Sequence, residues 1–300
     1  MPKIYVPPIK CQGIKTKLVS WIIAATQGVD YERWIEPFMG SGVVGFNLRP
    51  QRALFCDRNV HLIGFYNAIK TNRLTPTLAG EFLEDEGAKL SQIGEAHYYS
   101  IRDRFNKTQH PLDFLFLNRA CFNGVIRFNR QGKFNVPFGH KPNRFAKSYI
   151  TKIVNQIKYV QSALQYYDWE FRLCDFKDCI KEASESDLIY CDPPYAGRHT
   201  DYYNNWSEQD EMDLSKLLKS TRAKFLLSTW HSNQYRENPA IHTAWKDFSF
   251  ITREHFYYVG ASERNRNPMI EALVLNYSST LAKPVQSQKP QYSALNLFGV

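Results

Sequence analysis

Short apolar runs that end at glycines or acids punctuate the first sixty residues. Leu18 to Ala25 has mixed apolar character after Lys15 and Lys17, which predicts a short helix. Trp34-Ile35-Glu36-Pro37-Phe38 predicts a strand ending at a loop, Met39-Gly40-Ser41-Gly42, and Val43 to Leu48 starts the next helix. Arg52 to Asp57 predicts a second short strand ending in an acid. Strand, glycine loop, helix, strand, acid is the opening of a nucleotide-type α/β fold. From about His61 to Phe116 the pattern becomes helical and rich in charge, and from Asn118 to His140 aromatics, asparagines, glycines and arginines interleave. The α/β rhythm returns at Asp187 to Cys191, a buried-type strand that runs into Asp192-Pro193-Pro194-Tyr195. Lys224 to Thr229 and Glu271 to Asn276 predict two further strands. The simplest organisation is one α/β domain, residues 1–59 and 149–277, interrupted by an insertion at 60–148. A polar, proline-containing tail follows at 278–300.

Composition narrows the class. With 43% hydrophobic and 22% charged residues the chain reads as an ordinary soluble globular protein, long enough at 300 residues for a catalytic domain carrying a smaller inserted one. A net charge of +9 with 15% aromatics is what a nucleic-acid binder shows, since cations neutralise phosphates and rings stack on bases. Many basic proteins never touch nucleic acid, so charge alone decides nothing. The cysteines, Cys11, Cys56, Cys121, Cys174, Cys179 and Cys191, form no CxxC pair, and the eight histidines offer no HxxxH pair. No metal site is expected. The N-terminus has no apolar signal core, and no stretch approaches the length of a membrane span. A reduced cytoplasmic protein with free thiols and no membrane partner is expected.

The sharpest chemical signal is Asp192-Pro193-Pro194-Tyr195 directly after an apolar strand. Open α/β sheets place their ligands at such strand ends. Two prolines stiffen the backbone and remove two donors, leaving carbonyls to accept. An exocyclic amine donates two hydrogens, and its lone pair is delocalised into its ring. Asp192 and the Pro193 carbonyl can accept both hydrogens, which draws the nitrogen toward a tetrahedral state and frees the lone pair for attack. Tyr195 can stack on the base. The bland alternative is a strand-terminating turn with a capping aspartate. The glycine loop is less decisive. Gly40, Gly42 and Gly45 satisfy GxGxxG, so a dinucleotide must be weighed, and Asp57 stands roughly where a ribose-binding acid is expected. Both a dinucleotide and S-adenosylmethionine carry an adenosine ribose. Asp-Pro-Pro-Tyr separates them, because hydride transfer has no use for it.

Taken in order, these elements resemble the Dam-type, or D12 class, adenine-specific DNA methyltransferases in the alpha arrangement of motifs, over about Pro8 to Tyr277. Lys10-Cys11-Gln12-Gly13-Ile14-Lys15 is similar to the K-W-x-G-G-K element, Ile35 to Gly42 to the cofactor loop, and Cys56-Asp57-Arg58-Asn59 to the D-x-N element. Leu117 to Gly124, Arg127, and Gly132 to Gly139 resemble the DNA-recognition hairpin, and Cys174-Asp175-Phe176 the G-D-F element. The resemblance implies a Rossmann-like α/β methyltransferase domain with a mixed, mostly parallel sheet and a helical DNA-recognition insertion bearing a β-hairpin. It implies S-adenosylmethionine as cofactor, held by Lys15, Glu36, Phe38, Gly40, Gly42, Asp57, Asp175, Phe176 and Asp192. Asp192, Pro193, Pro194 and Tyr195 become the catalytic motif. Lys10, Arg119, Phe122, Asn123, Arg127, Asn135 and Pro137 become DNA-binding residues.

Within that set, Phe122 and Asn123 stand where the family wedges residues into the duplex, and Arg127 where it reads a guanine. An exposed aromatic can replace the stacking lost when a base leaves the helix, and arginine can bond a guanine edge bidentately. A core position is the alternative for Phe122. A phosphate contact or surface charge is the alternative for Arg127 and for Arg264-Asn265-Arg266 in the basic run 253–266. Two departures stand out. Cys11 replaces a tryptophan and Ile14 a glycine, which puts the packing around the methionine end of the cofactor in question. The stretch Arg198 to Ser207 lacks some family detail but keeps the aromatics Tyr202, Tyr203 and Trp206. Double-stranded DNA is the expected substrate, with a cognate restriction endonuclease a partner the resemblance allows, and a monomer is expected. Rival readings are a cytosine-N4 methyltransferase, which more often carries serine before PPY, a DNA-binding module without catalysis, and an RNA substrate.

Overall fold

The computed structural model describes residues 3–195, 206–256 and 268–281. These form one seven-stranded sheet in the order β3-β2-β1-β4-β5-β7-β6. The strands are β1 (Arg33–Glu36), β2 (Arg52–Asp57), β3 (Asp168–Leu173), β4 (Asp187–Cys191), β5 (Lys224–Asn233), β6 (Ser249–Phe256) and β7 (Pro268–Leu275). From β3 through β5 all pairings are parallel, and β7 runs antiparallel between β5 and β6. The expected mixed, mostly parallel Rossmann-like sheet is thus present.

Period-two alternation builds a core on each face. Trp34, Ala53, Phe55, Leu188, Tyr190, Leu226 and Leu273 point to one face. Their neighbours Ile35, Leu54, Cys56, Ile189, Cys191, Leu227 and Val274 point to the other. The second face is covered by α8 (Phe176–Lys181), α9 (Glu208–Ser220) and α10 (Pro239–His242), with Leu214, Leu218 and Trp245 buried against it. The first face takes α1 (Val19–Ala25), α2 (Val43–Leu48), α3 (Val60–Lys70) and α7 (Lys147–Tyr166). Phe46 stacks on Trp169 at 5.3 Å, and both are fully buried. Burial of a side chain such as Phe46 stabilises by about 1.5–3 kcal/mol.

The core on this face continues outward into α4 (Pro76–Ile93), α5 (Glu95–Thr108) and α6 (Pro111–Ala120). Each break between these helices has a local cause. Thr75 caps α4, accepting from Leu78 N–H at 3.2 Å with Pro76 at the first helical position. Gly94, at φ 74°, turns the chain into α5. Arg104 ties the three together: it donates to Asp113 on α6 (2.6 and 3.0 Å) and to Glu86 on α4 (3.1 Å). After α6 the chain folds back on itself as an irregular antiparallel hairpin, through bridges Cys121–Phe138 and Phe128–Phe134 and a turn at Asn129–Gly132.

Candidate active site

β1 and β4 lie side by side at the sheet centre, with Ile35 level with Ile189. The strand order reverses there, so the loops leaving their carboxyl ends part and leave a crevice. Asp192-Pro193-Pro194-Tyr195 is the loop leaving β4. Lys15, in the turn before α1, is buried and pairs its Nζ with Asp192 Oδ1 at 2.7 Å. The same ammonium is 3.4 Å from the Gly13 carbonyl and 5.0 Å from the centre of the Tyr195 ring. Tyr195 donates its hydroxyl to Glu271 Oε2 at 2.8 Å, and Glu271 is fully buried on β7. Burial raises the Asp192 carboxyl above its ordinary range; the Lys15 charge and hydrogen bond oppose this, and Glu271 adds to it. Lysine, aspartate, tyrosine and glutamate therefore form one connected polar array at the mouth of the crevice.

The loop leaving β1 forms the opposite wall. Gly40 and Gly42 take φ of 48° and 73°, which side chains rarely adopt. Asp57, at the end of β2, accepts from Gly40 N–H at 2.9 Å and from Asn59 N–H at 2.8 Å. Asn59 in turn caps α3, accepting from His61 and Leu62 N–H at 3.1 Å each. The D-x-N element is thus an acid bracing the glycine loop plus a helix cap. At the next strand end Asp175 caps α8, accepting from Lys177 N–H at 2.9 Å, and lies 3.5 Å from Arg58. Phe176 stacks on Phe38 at 5.3 Å, and Trp206 meets Phe38 edge-on at 5.4 Å. Lys15, Phe38, Gly40, Gly42, Asp57, Asp175, Phe176 and Asp192 therefore all lie along the carboxyl edge of the sheet.

The hairpin presents a different set. Phe122 is 51% exposed, and Asn123 beside it has φ 53°. Phe122 N–H donates to the Pro137 carbonyl at 2.9 Å, so exposed Pro137 lies beside Phe122 at the base of the hairpin. Arg127 donates to the Asn135 side chain (2.9 Å) and carbonyl (3.2 Å). Lys10 borders Gly124, where an added Cβ would fall 2.6 Å from Lys10 Cδ. Asn118, wholly buried, accepts from Lys10 N–H at 2.8 Å and donates to the Lys10 carbonyl at 2.9 Å. The N-terminal segment that carries Lys15 is thereby stapled to the hairpin.

The sequence model of the D12 class N6 adenine-specific DNA methyltransferases matches residues 12–259. The chain belongs to that class. It is 27% identical over 259 residues to the Type II methyltransferase M1.LlaDCHI of Lactococcus lactis subsp. cremoris, covering 83% of this chain and 88% of the relative. It is 33% identical over 168 residues to the DNA adenine methylase of Escherichia coli K12, covering 54% and 55%. Against the Type II methyltransferase M.FokI of Planomicrobium okeanokoites it is 26% identical over 282 residues; these are 91% of this chain but 43% of that protein.

Two residues of the expected set in this methyltransferase make buried, internal contacts. Arg119 is 4% exposed and donates to the Pro8 carbonyl, to Gln156 Oε1 at 2.8 Å and to Tyr149 Oη at 3.2 Å. It points inward from the buried side of α6 and joins that helix to α7 and to the N-terminal segment. Glu36 is 2% exposed; its Oε1 accepts from Trp34 Nε1 at 3.0 Å and Gly45 N–H at 2.8 Å, beneath the glycine loop. Burial pushes its carboxyl up to about 8 despite those two bonds, and the nearby Asp192 charge adds to the rise. Gly45 is required there, since an added Cβ would sit 2.4 Å from the Phe55 ring. The third glycine of the spacing thus serves close helix–strand packing.

Other expectations land elsewhere. Cys11 is near enough to Asp57 for that charge to raise its thiol, on top of the larger effect of burial. The tryptophan-to-cysteine departure therefore falls beside Asp57 at the carboxyl edge of the sheet, whereas Ile14 lies at the surface with 36% exposure. Tyr202, Tyr203 and Arg264 to Arg266 lie outside the described residues. Glu271 and Asn118 are the functional neighbours that motif reasoning passed over. An acid heading the apolar run Ala272 to Leu275 was the available signal for the first.

Proposed function

We propose that this site transfers a methyl group from S-adenosylmethionine to N6 of an adenine turned out of double-stranded DNA. The observation that carries the reading is the Asp192 carboxylate, held by buried Lys15 at the end of β4 with the Tyr195 ring beside it. S-adenosylmethionine is the cofactor of this class, and the donor set fits it. Two carboxylates at successive strand ends, Asp57 and Asp175, suit ribose hydroxyls and an adenine amino group. Phe38, Phe176 and Trp206 give an aromatic wall for a purine. Gly40 leaves open space where a Cβ would be. Bound there, the cofactor supplies an already electrophilic methyl on a sulfonium.

The remaining work belongs to the chain. Asp192 and the Pro193 carbonyl accept the two hydrogens of the target amine and orient its lone pair. Lys15 keeps the carboxylate ionised and aimed, offsetting the burial that raises it. Tyr195 stacks on the purine, and its bond to Glu271 fixes the ring plane. Catalysis then rests on positioning and local electrostatics. Phe122 and Asn123 fill the gap in the stack, and Arg127, steadied by Asn135, reads a base edge, with Lys10 at a neighbouring one. Residues 60–148 serve as the target-recognition domain, and 1–59 with 149–277 as the catalytic one. The enzyme acts as a monomer in the cytoplasm; among the described residues no helix is long and apolar enough to cross a membrane. The names of the Type II relatives support a cognate restriction endonuclease as partner.

Incubation with labelled cofactor and unmodified DNA, followed by digestion to nucleosides, tests the reading. N6-methyladenine is the expected product. N4-methylcytosine alone, or tight DNA binding with no transfer, contradicts it.

A further inference from the structure

The chain has no CxxC pair and Cys174 stands five residues before Cys179, yet the fold brings Cys56 to both of them from more than a hundred residues away. The sulfur atoms of Cys56, Cys174 and Cys179 lie within 4.8 Å of one another, and Cys179 Sγ donates to Cys56 Sγ at 3.1 Å. Each is fixed by a different element. Cys56 is the next-to-last residue of β2, Cys174 directly follows β3, and Cys179 sits in α8. Sulfurs sharing one tetrahedral zinc at bonds of about 2.3 Å stand roughly 3.8 Å apart. The cluster brackets that separation, so small side-chain movements bring all three onto one ion.

Cys56 and Cys179 are fully buried, while Cys174 is half-buried, so the cluster opens to solvent on the Cys174 side. Three thiolates favour soft, thiophilic ions over magnesium or calcium. A divalent ion with three thiolates leaves one net negative charge. Arg172, level with Cys56 across the β2–β3 pairing, lies close enough to act on both Cys56 and Cys174. None of the three sulfurs has a part in the transfer chemistry. We propose that Cys56, Cys174 and Cys179 form a binding site for one thiophilic ion such as Zn2+, with a water in the fourth position on the Cys174 side. Binding forms three metal–sulfur bonds and releases three thiol protons to solvent. Because Cys56 precedes Asp57 and Cys174 precedes Asp175, an ion there braces two of the strand ends that face the crevice.

The test uses the full chain, stripped of metal by chelation and kept reduced with a non-thiol reductant, then titrated with Cd2+ as a spectroscopic substitute for zinc. One equivalent should bind, with the ultraviolet sulfur-to-cadmium charge-transfer absorption of three thiolates. C174S, at the half-buried position that best tolerates change, should bind more weakly by more than the roughly 10–100-fold that loss of a ligand's supporting partner costs. C11S and C121S should bind as the unaltered protein does. Absence of the charge-transfer band overturns the proposal, as does undiminished binding by C174S. A Cys174–Cys179 disulfide in peroxide-treated protein, with no metal uptake when reduced, overturns it in favour of a redox role.

Discussion

The carboxyl edge of the sheet and the hairpin at 118–140 solve opposite problems. At the sheet edge every acid is braced from behind. Asp57 is tied to Gly40 and Asn59, Asp175 to Lys177, Asp192 to Lys15, and Glu271 to Tyr195. In the hairpin, Tyr98 and Asn106 of α5 bond the backbone at Val136 and Phe134, while Phe122 at the base stays half in solvent. Chemistry on an amine needs acceptors held to within a fraction of an ångström, which a buried network provides. Reading a duplex needs side chains that reach out, and these can tolerate looser support. The same residue type therefore means different things in neighbouring places: Arg127 is half-buried in the hairpin and braced by Asn135, whereas Arg119, eight residues earlier, is a buried strut.

Substitutions sharpen this contrast. Asp192→Ala should have the largest effect, lowering kcat by at least ~10²–10³-fold, the scale of losing one transition-state contact. DNA binding should be largely kept, and a filter-binding assay run beside methyl transfer checks both. Arg119→Ala should act on stability instead. It leaves the Pro8 carbonyl and Gln156 without their donor, at about 1–3 kcal/mol for each buried group stranded. The salt dependence of DNA affinity should be unchanged; a reduced salt slope would return Arg119 to the DNA interface. Arg127→Ala should relax discrimination at one base pair by about 1–3 kcal/mol, seen by comparing single-substituted sites. Uniform weakening across sequences would make it a phosphate contact.

The smallest effect concerns Glu36, buried beneath the glycine loop. Its folded carboxyl titrates near 8 against an ordinary 4.5, so between those values the folded state binds more protons than the unfolded chain. Stability from this group must fall as pH rises through that window. Glu36→Gln, which keeps an oxygen for Trp34 and Gly45, should flatten the decline of Tm between pH 5 and 8. A decline identical to that of the unaltered protein would mean that Glu36 is ionised when folded.

Legibility followed range. The strands Arg52–Asp57 and Asp187–Cys191 were readable to the residue, because continuous apolar runs ending in acids are local signals. The glycine loop and Asp-Pro-Pro-Tyr were readable for the same reason. β3 was passed over although Trp169 and Phe171 alternate with polar residues, since the run is short and follows a long helix. Side-chain direction was not legible. Glu36 and Arg119 sit inside matched motifs, and only the packing of α2 and α6 shows that they point inward. The cysteine cluster was not legible for a related reason: the parallel pairing of β2 with β3 brings Cys56 to Cys174 and Cys179 from more than a hundred residues away.

The most direct test of the central claim is a crystal structure of the enzyme with substrate DNA and an unreactive cofactor analogue. The account predicts an adenine outside the duplex, its ring against Tyr195 and its amino nitrogen roughly 3 Å from both Asp192 and the Pro193 carbonyl. A target base still stacked in the helix, or an amine held by other groups, would contradict it.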